Sequence, residues 1–168
     1  MAYKTEDNLR DAFGGECEAN RRYNIYAEKA EKDGLPQVAR LFRAVAMAEE
    51  VHLRNHFTVI GGVGTTQDNL LAAKLGEERE YTGMYPIYID DARVERNDRA
   101  EKSFTWANMV EKIHHSYFEK TLEAVKAGET LPETVYYVCQ ICGNTVTGDA
   151  PDKCLVCGAG KTAFTLVE

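Results

Sequence analysis

Four long stretches of this chain repeat apolar residues at helical spacing, and each carries glutamate within its apolar stripe. The first stripe is Leu9, Phe13, Glu16, Asn20, Tyr23, Ala27 and Ala30, and the second is Val38, Phe42, Val45, Glu49, His52, His56 and Val59. The third is Leu70, Ala73, Glu77, Glu80, Met84 and Ile87, and the fourth is Phe104, Ala107, Glu111, His114, Phe118 and Val125. A carboxylate facing a dry interior is very costly unless a cation meets it. Residues three apart on a helix face the same way, so Glu49/His52, Glu77/Glu80 and Glu111/His114 each offer two donors to one spot. Five carboxylates and two imidazoles on four helices therefore predict a box for two metal ions.

Punctuation residues divide the 168 residues. Gly34 suits the end of a first helix begun near Thr5, Pro36 opens a second that stops before Gly61-Gly62, and Gly128 stops the last, which spans 97–127. The third begins near Leu70, with Pro86 expected to kink or locally break it. Residues 61–69 read as turn-rich and long enough to cross a bundle, so the second and third helices need not be antiparallel neighbours. The expected fold is mainly α: a four-helix bundle over residues 1–130, joined to a small β/loop metal module over 134–168. Residues 134–138 are β-branched and aromatic, a strand candidate. The module is too small to fold without a metal staple.

Its staple is visible as Cys139-x-x-Cys142 and Cys154-x-x-Cys157, with Gly143 and Gly158 following each pair. Four thiolates form a tetrahedral site for zinc or one iron, and spacing alone does not choose between them. Cys17 stands alone in the first helix, expected to be a buried thiol. Paired C-x-x-C motifs fit a compartment that keeps thiols reduced. Residues 1–7 are polar, so no signal peptide is expected, and no apolar run approaches 18 residues, so no membrane span is expected. These features predict a cytoplasmic protein. A net charge of −7 and a pI of about 5.2 argue against nucleic acid or an anionic membrane as partner.

Oxygen-rich ligation with few imidazoles suits iron or manganese better than structural zinc. An iron pair stores two electrons, the number that cleaves the O–O bond of a peroxide. Ferritin-like di-iron bundles take one Glu from each of two helices and a Glu-x-x-His from each of the other two. The chain meets this pattern and adds Glu80.

The motifs Gly15-Glu16, Ala48-Glu49-Glu50-Val51-His52, Gly76-Glu77-x-x-Glu80-x-x-x-Met84-Tyr85-Pro86, Glu111-Lys112-Ile113-His114 and Tyr137-Val138-Cys139 through Cys157-Gly158 follow in order. In these the whole chain resembles a rubrerythrin. The resemblance implies a ferritin-like di-iron bundle and a rubredoxin-like Fe(SCys)4 domain, zinc being a substitute metal there. It implies a peroxidase that reduces hydrogen peroxide to water in oxidative-stress defence. Electrons would be NADH-linked, supplied through external proteins such as rubredoxin and its reductase. It assigns Glu49 and Glu111 as bridging carboxylates, Glu16 to one iron, and Glu77 with His114 to the other. Glu80 and His52 would be alternating ligands, and Tyr23 and Tyr85 hydrogen-bond donors near the iron pair. His56 and His115 match no ligand. Gly83 stands where relatives often carry Glu, and Leu155 where they often carry Pro. A head-to-tail homodimer, or a tetramer, is expected, because a bundle centre lies far from the end of its own chain. The alternatives are a ferritin-type ferroxidase or iron-storage protein and a redox sensor switched at its thiolates.

Overall fold

The structure, a computed structural model, describes residues 4–167; residues 1–3, part of the polar start, and Glu168 lie outside the described residues. The chain divides into two compact units, Met1–Gly64 and Thr65–Glu168.

The first unit is a helical hairpin of α1 (Thr5–Lys32) and α2 (Pro36–Ile60). Gly34 takes a left-handed φ of 74°, and the Leu35 amide returns to the Ala30 carbonyl at 2.9 Å, which closes α1. Ala27, Ala30 and Ala39 are buried with Phe42 packed against them, so small side chains let the two helices approach closely near the turn. Toward the far end Phe13 stacks on Phe57, ring centroids 4.8 Å apart. Between these, buried Asn20 donates from Nδ2 to the Ala46 carbonyl at 2.7 Å and fixes the register of the pair. Gly61, left-handed at φ 72°, ends α2.

The second unit opens with α3 (Thr66–Arg79), four residues earlier than the expected Leu70. The Thr65 hydroxyl accepts from the Asp68 amide while the Asp68 carboxylate accepts from the Thr65 amide, a reciprocal cap. Only residues 61–65 therefore separate α2 from α3. The expectation of a connection long enough to cross a bundle is overturned: fully extended, this linker reaches about 21 Å, against about 37 Å for the length of α2.

Nor does Pro86 break the third helix. The rod runs from α3 through one wide turn, Glu80–Met84, into α4 (Tyr85–Val94). In that turn the Tyr85 amide donates to the Glu80 carbonyl, five residues back. Pro86 falls in the first turn after it, where a missing N–H is tolerated. α5 (Asp98–Ala127) is capped by the Asn97 side chain and tied to this rod by Lys74–Glu119 at 2.6 Å and Arg93–Glu101 at 2.7 Å.

β1 (Tyr136–Cys139), β2 (Thr145–Thr147) and β3 (Phe164–Val167) form an antiparallel sheet in the order β2-β1-β3. The strand begins two residues later than the expected 134. The buried residues of this module include Cys139, Cys154, Ala150 and Asn144, so its interior is built around sulfur. Tyr136 meets Tyr117 of α5 edge to face at 6.2 Å, and Gly143 lies over Val110, where a Cβ would sit 3.8 Å from Cγ1. The fold is mainly α, as expected: four helical rods and a small strand-and-loop module.

Candidate metal centres

The first unit brings together Glu16 of α1 with Glu49 and His52 of α2, one donor atom of each lying within 4.8 Å of the others. His52 Nδ1 is 2.8 Å from Glu49 Oε2 and 3.6 Å from Glu16 Oε1. Glu49 is half-buried, and Asn20, one turn after Glu16, ties α1 to α2. Tyr23 packs on Phe42 at 6.2 Å and on Tyr26 at 6.4 Å. Cys17 is a free thiol that is half-buried rather than buried as expected, because it sits on a face of α1 away from the stripe that meets α2, and His56 is half-buried.

The second unit brings together Glu77 of α3 with Glu111 and His114 of α5 in the same manner. His114 Nδ1 is 2.8 Å from Glu111 Oε2 and 3.9 Å from Glu77 Oε1. Burial, followed by a hydrogen bond shared with Glu111, raises the Glu77 pKa to about 7; Glu111 is raised as well, first by burial. Glu80 lies outside this triad, at the start of the wide turn, yet its charge is felt by Glu77, Glu111 and Tyr85. Burial and then these three carboxylates raise the Tyr85 pKa, so its hydroxyl keeps its proton and remains a donor. His115 stacks edge-on against Tyr81 at 5.4 Å, and its buried Nε2 has no hydrogen-bond partner.

One contact was not foreseen from the sequence. His114 Nε2 lies 3.0 Å from Thr145 Oγ1 on β2, and that hydroxyl donates to the Gly143 carbonyl at 3.2 Å. With its own proton so directed, Thr145 accepts from Nε2–H, leaving Nδ1 of a neutral His114 with a lone pair. Nδ1 and Glu111 Oε2 are then two acceptors 2.8 Å apart, a contact that needs a cation between them, proton or metal. Tyr117 Oη also donates to the Thr145 carbonyl at 3.2 Å. The sulfur module therefore meets His114 of α5 within its own chain. A cleft of about 510 Å³ opens against Glu77 and His114, walled by Leu70, Phe118 and Tyr136.

In the module, Sγ of Cys139, Cys142, Cys154 and Cys157 all lie within 4.8 Å of one another. Each pair follows one pattern: the Gly143 amide returns to the Cys139 carbonyl at 2.8 Å and the Gly158 amide to that of Cys154 at 2.9 Å. Both glycines are left-handed, at φ 81° and 77°. Burial works against a thiolate at Cys154, yet hydrogen bonds from the Cys157 and Val156 amides and from Cys142 and Cys157 outweigh it and lower its pKa to about 6. Cys142 is pushed up, chiefly by burial. Four converging sulfurs fit a tetrahedral metal, and two sets of two carboxylates and one imidazole fit borderline-hard ions such as ferrous iron.

These features define a class: a helical carboxylate di-metal protein of ferritin-like type carrying a rubredoxin-like four-cysteine module. The rubrerythrin family model matches residues 7–122, and the model of the rubrerythrin rubredoxin-like domain matches residues 137–165. Rubrerythrin-2 of Clostridium acetobutylicum is 37% identical, the match covering 95% of each chain. Rubrerythrin of Nitratidesulfovibrio vulgaris is 30% identical over 98% of this chain and 94% of its own. Among solved structures, fully reduced, all-ferrous nigerythrin is similar with a TM-score of 0.58 at 28% identity, covering 99% of this chain and 88% of the other. The chain belongs to the rubrerythrin family. This makes it a di-iron protein of oxidative-stress defence and an oxidoreductase that works with redox partners such as rubredoxin, with iron as the metal for both kinds of site. No described helix is long and apolar enough to cross a membrane.

Proposed function

We propose that the protein is a non-haem di-iron peroxidase that reduces hydrogen peroxide to water. The observation that carries this reading is the hydrogen-bonded path from the sulfur site to a carboxylate-site ligand: Gly143 follows Cys142, Thr145 bonds Gly143, and His114 bonds Thr145. A storage protein has no use for such a path.

When bound, an iron pair supplies the two electrons that, with two protons, turn one hydrogen peroxide into two waters. Glu16, Glu49, His52, Glu77, Glu80, Glu111 and His114 would hold that pair through carboxylate oxygens and imidazole nitrogens. Cys139, Cys142, Cys154 and Cys157 would hold a third iron, which a zinc ion could replace structurally but not electronically. Thr145 fixes the His114 tautomer so that Nδ1 faces the carboxylates. Tyr85, kept protonated, donates a hydrogen bond toward the ligands or the bound peroxide. Tyr23 would do the same from α1. The functional division is residues 1–130 for the peroxide chemistry and 134–168 for electron entry. Electrons would come from NADH through rubredoxin and its reductase, in the cytoplasm, to a homodimer or tetramer.

The test is to reduce the protein anaerobically, add stoichiometric hydrogen peroxide, and follow the visible spectrum with metal analysis. About three irons per chain and rapid reoxidation are expected. Cys139→Ser should abolish turnover with a reductase while leaving a single oxidation of the reduced protein by peroxide. Zinc at every site with no reaction to peroxide would overturn the proposal.

A further inference from the structure

We infer that Asn144 is a positioning residue of the four-cysteine site: its side-chain amide donates to the Cys154 sulfur and makes the site a readier acceptor of an electron. This rests on the cysteines holding one iron, and concerns what sets the reduction potential there.

The two cysteine loops supply the comparison. Cys139-x-x-Cys142-Gly143-Asn144 and Cys154-x-x-Cys157-Gly158-Ala159 follow one backbone plan. The Cys139 amide donates to the Asn144 carbonyl at 2.9 Å, and the Cys154 amide donates to the Ala159 carbonyl at 2.7 Å. The Asn144 amide also donates to the Cys142 sulfur, as the Ala159 amide does to the Cys157 sulfur. Alanine therefore performs the whole backbone task of this position in the second loop. The asparagine side chain in the first loop needs another reason.

That side chain sits where an amide is unfavourable. Asn144 is 2% exposed, and its Oδ1 is buried with no hydrogen-bond partner among the described residues. An apolar residue would fill the space without a stranded carbonyl, so packing alone does not account for it. What the amide does achieve is a hydrogen bond across the loops: Nδ2 donates to Cys154 Sγ at 3.6 Å. Cys154 already accepts from the Val156 and Cys157 amides of its own loop, and Asn144 adds a donor from the other.

Reduction by a one-electron carrier adds one negative charge, which the four sulfurs share. N–H groups aimed at those sulfurs stabilise the reduced state more than the oxidised one and raise the potential. The next residue turns the other way, since the Thr145 hydroxyl meets His114. Residues 144 and 145 thus touch one ligand of each kind of site, the first setting how firmly the electron is held and the second marking where it leaves. A sulfur site poised in this way fills readily from its donor and gives up the electron only to a stronger oxidant.

The test is a redox titration of the iron-loaded protein, followed by its thiolate-to-iron absorption, for wild type, Asn144→Ala and Asn144→Leu. Alanine copies the second loop, and leucine keeps the bulk without a donor. At one fixed ambient potential the ratio of reduced to oxidised site should fall about tenfold in both variants, equivalent to about 59 mV for one electron. A ratio within about twofold of wild type, or a rise, in variants with full iron content overturns the inference and leaves the iron reading intact. A wild type that holds no iron at these cysteines overturns the iron reading instead. A second measurement covers that case and the case in which the variants do not fold. In cadmium-loaded wild-type protein, NMR should show scalar coupling from the metal through sulfur to the Asn144 side-chain amide, beside couplings to the Asn144 and Ala159 backbone amides. Backbone couplings without the side-chain one rule the assignment out.

Discussion

Glu77 keeps its proton up to about pH 7, because burial and the hydrogen bond shared with Glu111 both oppose a second negative charge beside the first. In an unfolded chain the value is about 4.5, so between these limits the metal-free native state binds more protons than the unfolded one. Stability of the metal-free protein should therefore be fully present below about pH 4.5 as regards this group and fall as pH rises toward 7. The magnitude is on the order of 1–3 kcal/mol, since water reaches part of the side chain. Urea denaturation of metal-free protein at pH 5 and 8 measures it, and Glu77→Gln should flatten the slope; an equal slope in both proteins refutes the assignment. Thr145 gives a second prediction at this scale. Thr145→Val keeps the shape but removes the acceptor of the His114 proton, so metal affinity at this set should drop about 10–100-fold. Imidazole nitrogen NMR of the metal-free variant should show the loss of a single His114 tautomer. An unchanged tautomer and affinity would refute the role.

The helices themselves were readable because apolar spacing, Pro36, Gly61 and Gly128 all speak locally. So were the donor residues, since a Glu amid apolar neighbours is visible without coordinates. The start of α3 was not. Residues 66–69 are polar, so periodicity begins only at Leu70, and the signal was instead Thr65-x-x-Asp68, a cap written in polar residues. The wide turn at Glu80–Met84 was likewise hidden, because a proline in a helical pattern announces strain but not how the backbone absorbs it. Thr145 could not be found at all by spacing, since it meets His114 across 31 positions of sequence. The cap gives a prediction of its own. Thr65→Ala should cost about 1 kcal/mol, read as a lowered denaturation midpoint at unchanged cooperativity. No change would mean that packing rather than capping fixes the start of α3, and would loosen the limit on linker length.

Across the whole molecule, the two kinds of metal site stand in opposite relations to folding. The α1/α2 hairpin is held by Ala27, Ala30, Ala39 and Asn20, none of them ligands, and α3 is held to α5 partly by Lys74–Glu119. Their helices need no iron to form. The module over 136–167 has three short strands, and two of its buried residues are Cys139 and Cys154. A unit of that size gains too little from apolar burial to fold alone, so its metal is its core. Stripping all metal should therefore leave the helical circular-dichroism signal nearly unchanged while amide protection across β1, β2 and β3 disappears. Zinc alone should restore that protection, because tetrahedral thiolate geometry is what the strands need, yet reductase-driven turnover should stay absent, because zinc does not change valence. Protected strands in metal-free protein would mean that the sheet folds by itself. The thiolate site would then be an electron carrier only, with no part in holding Thr145 against His114.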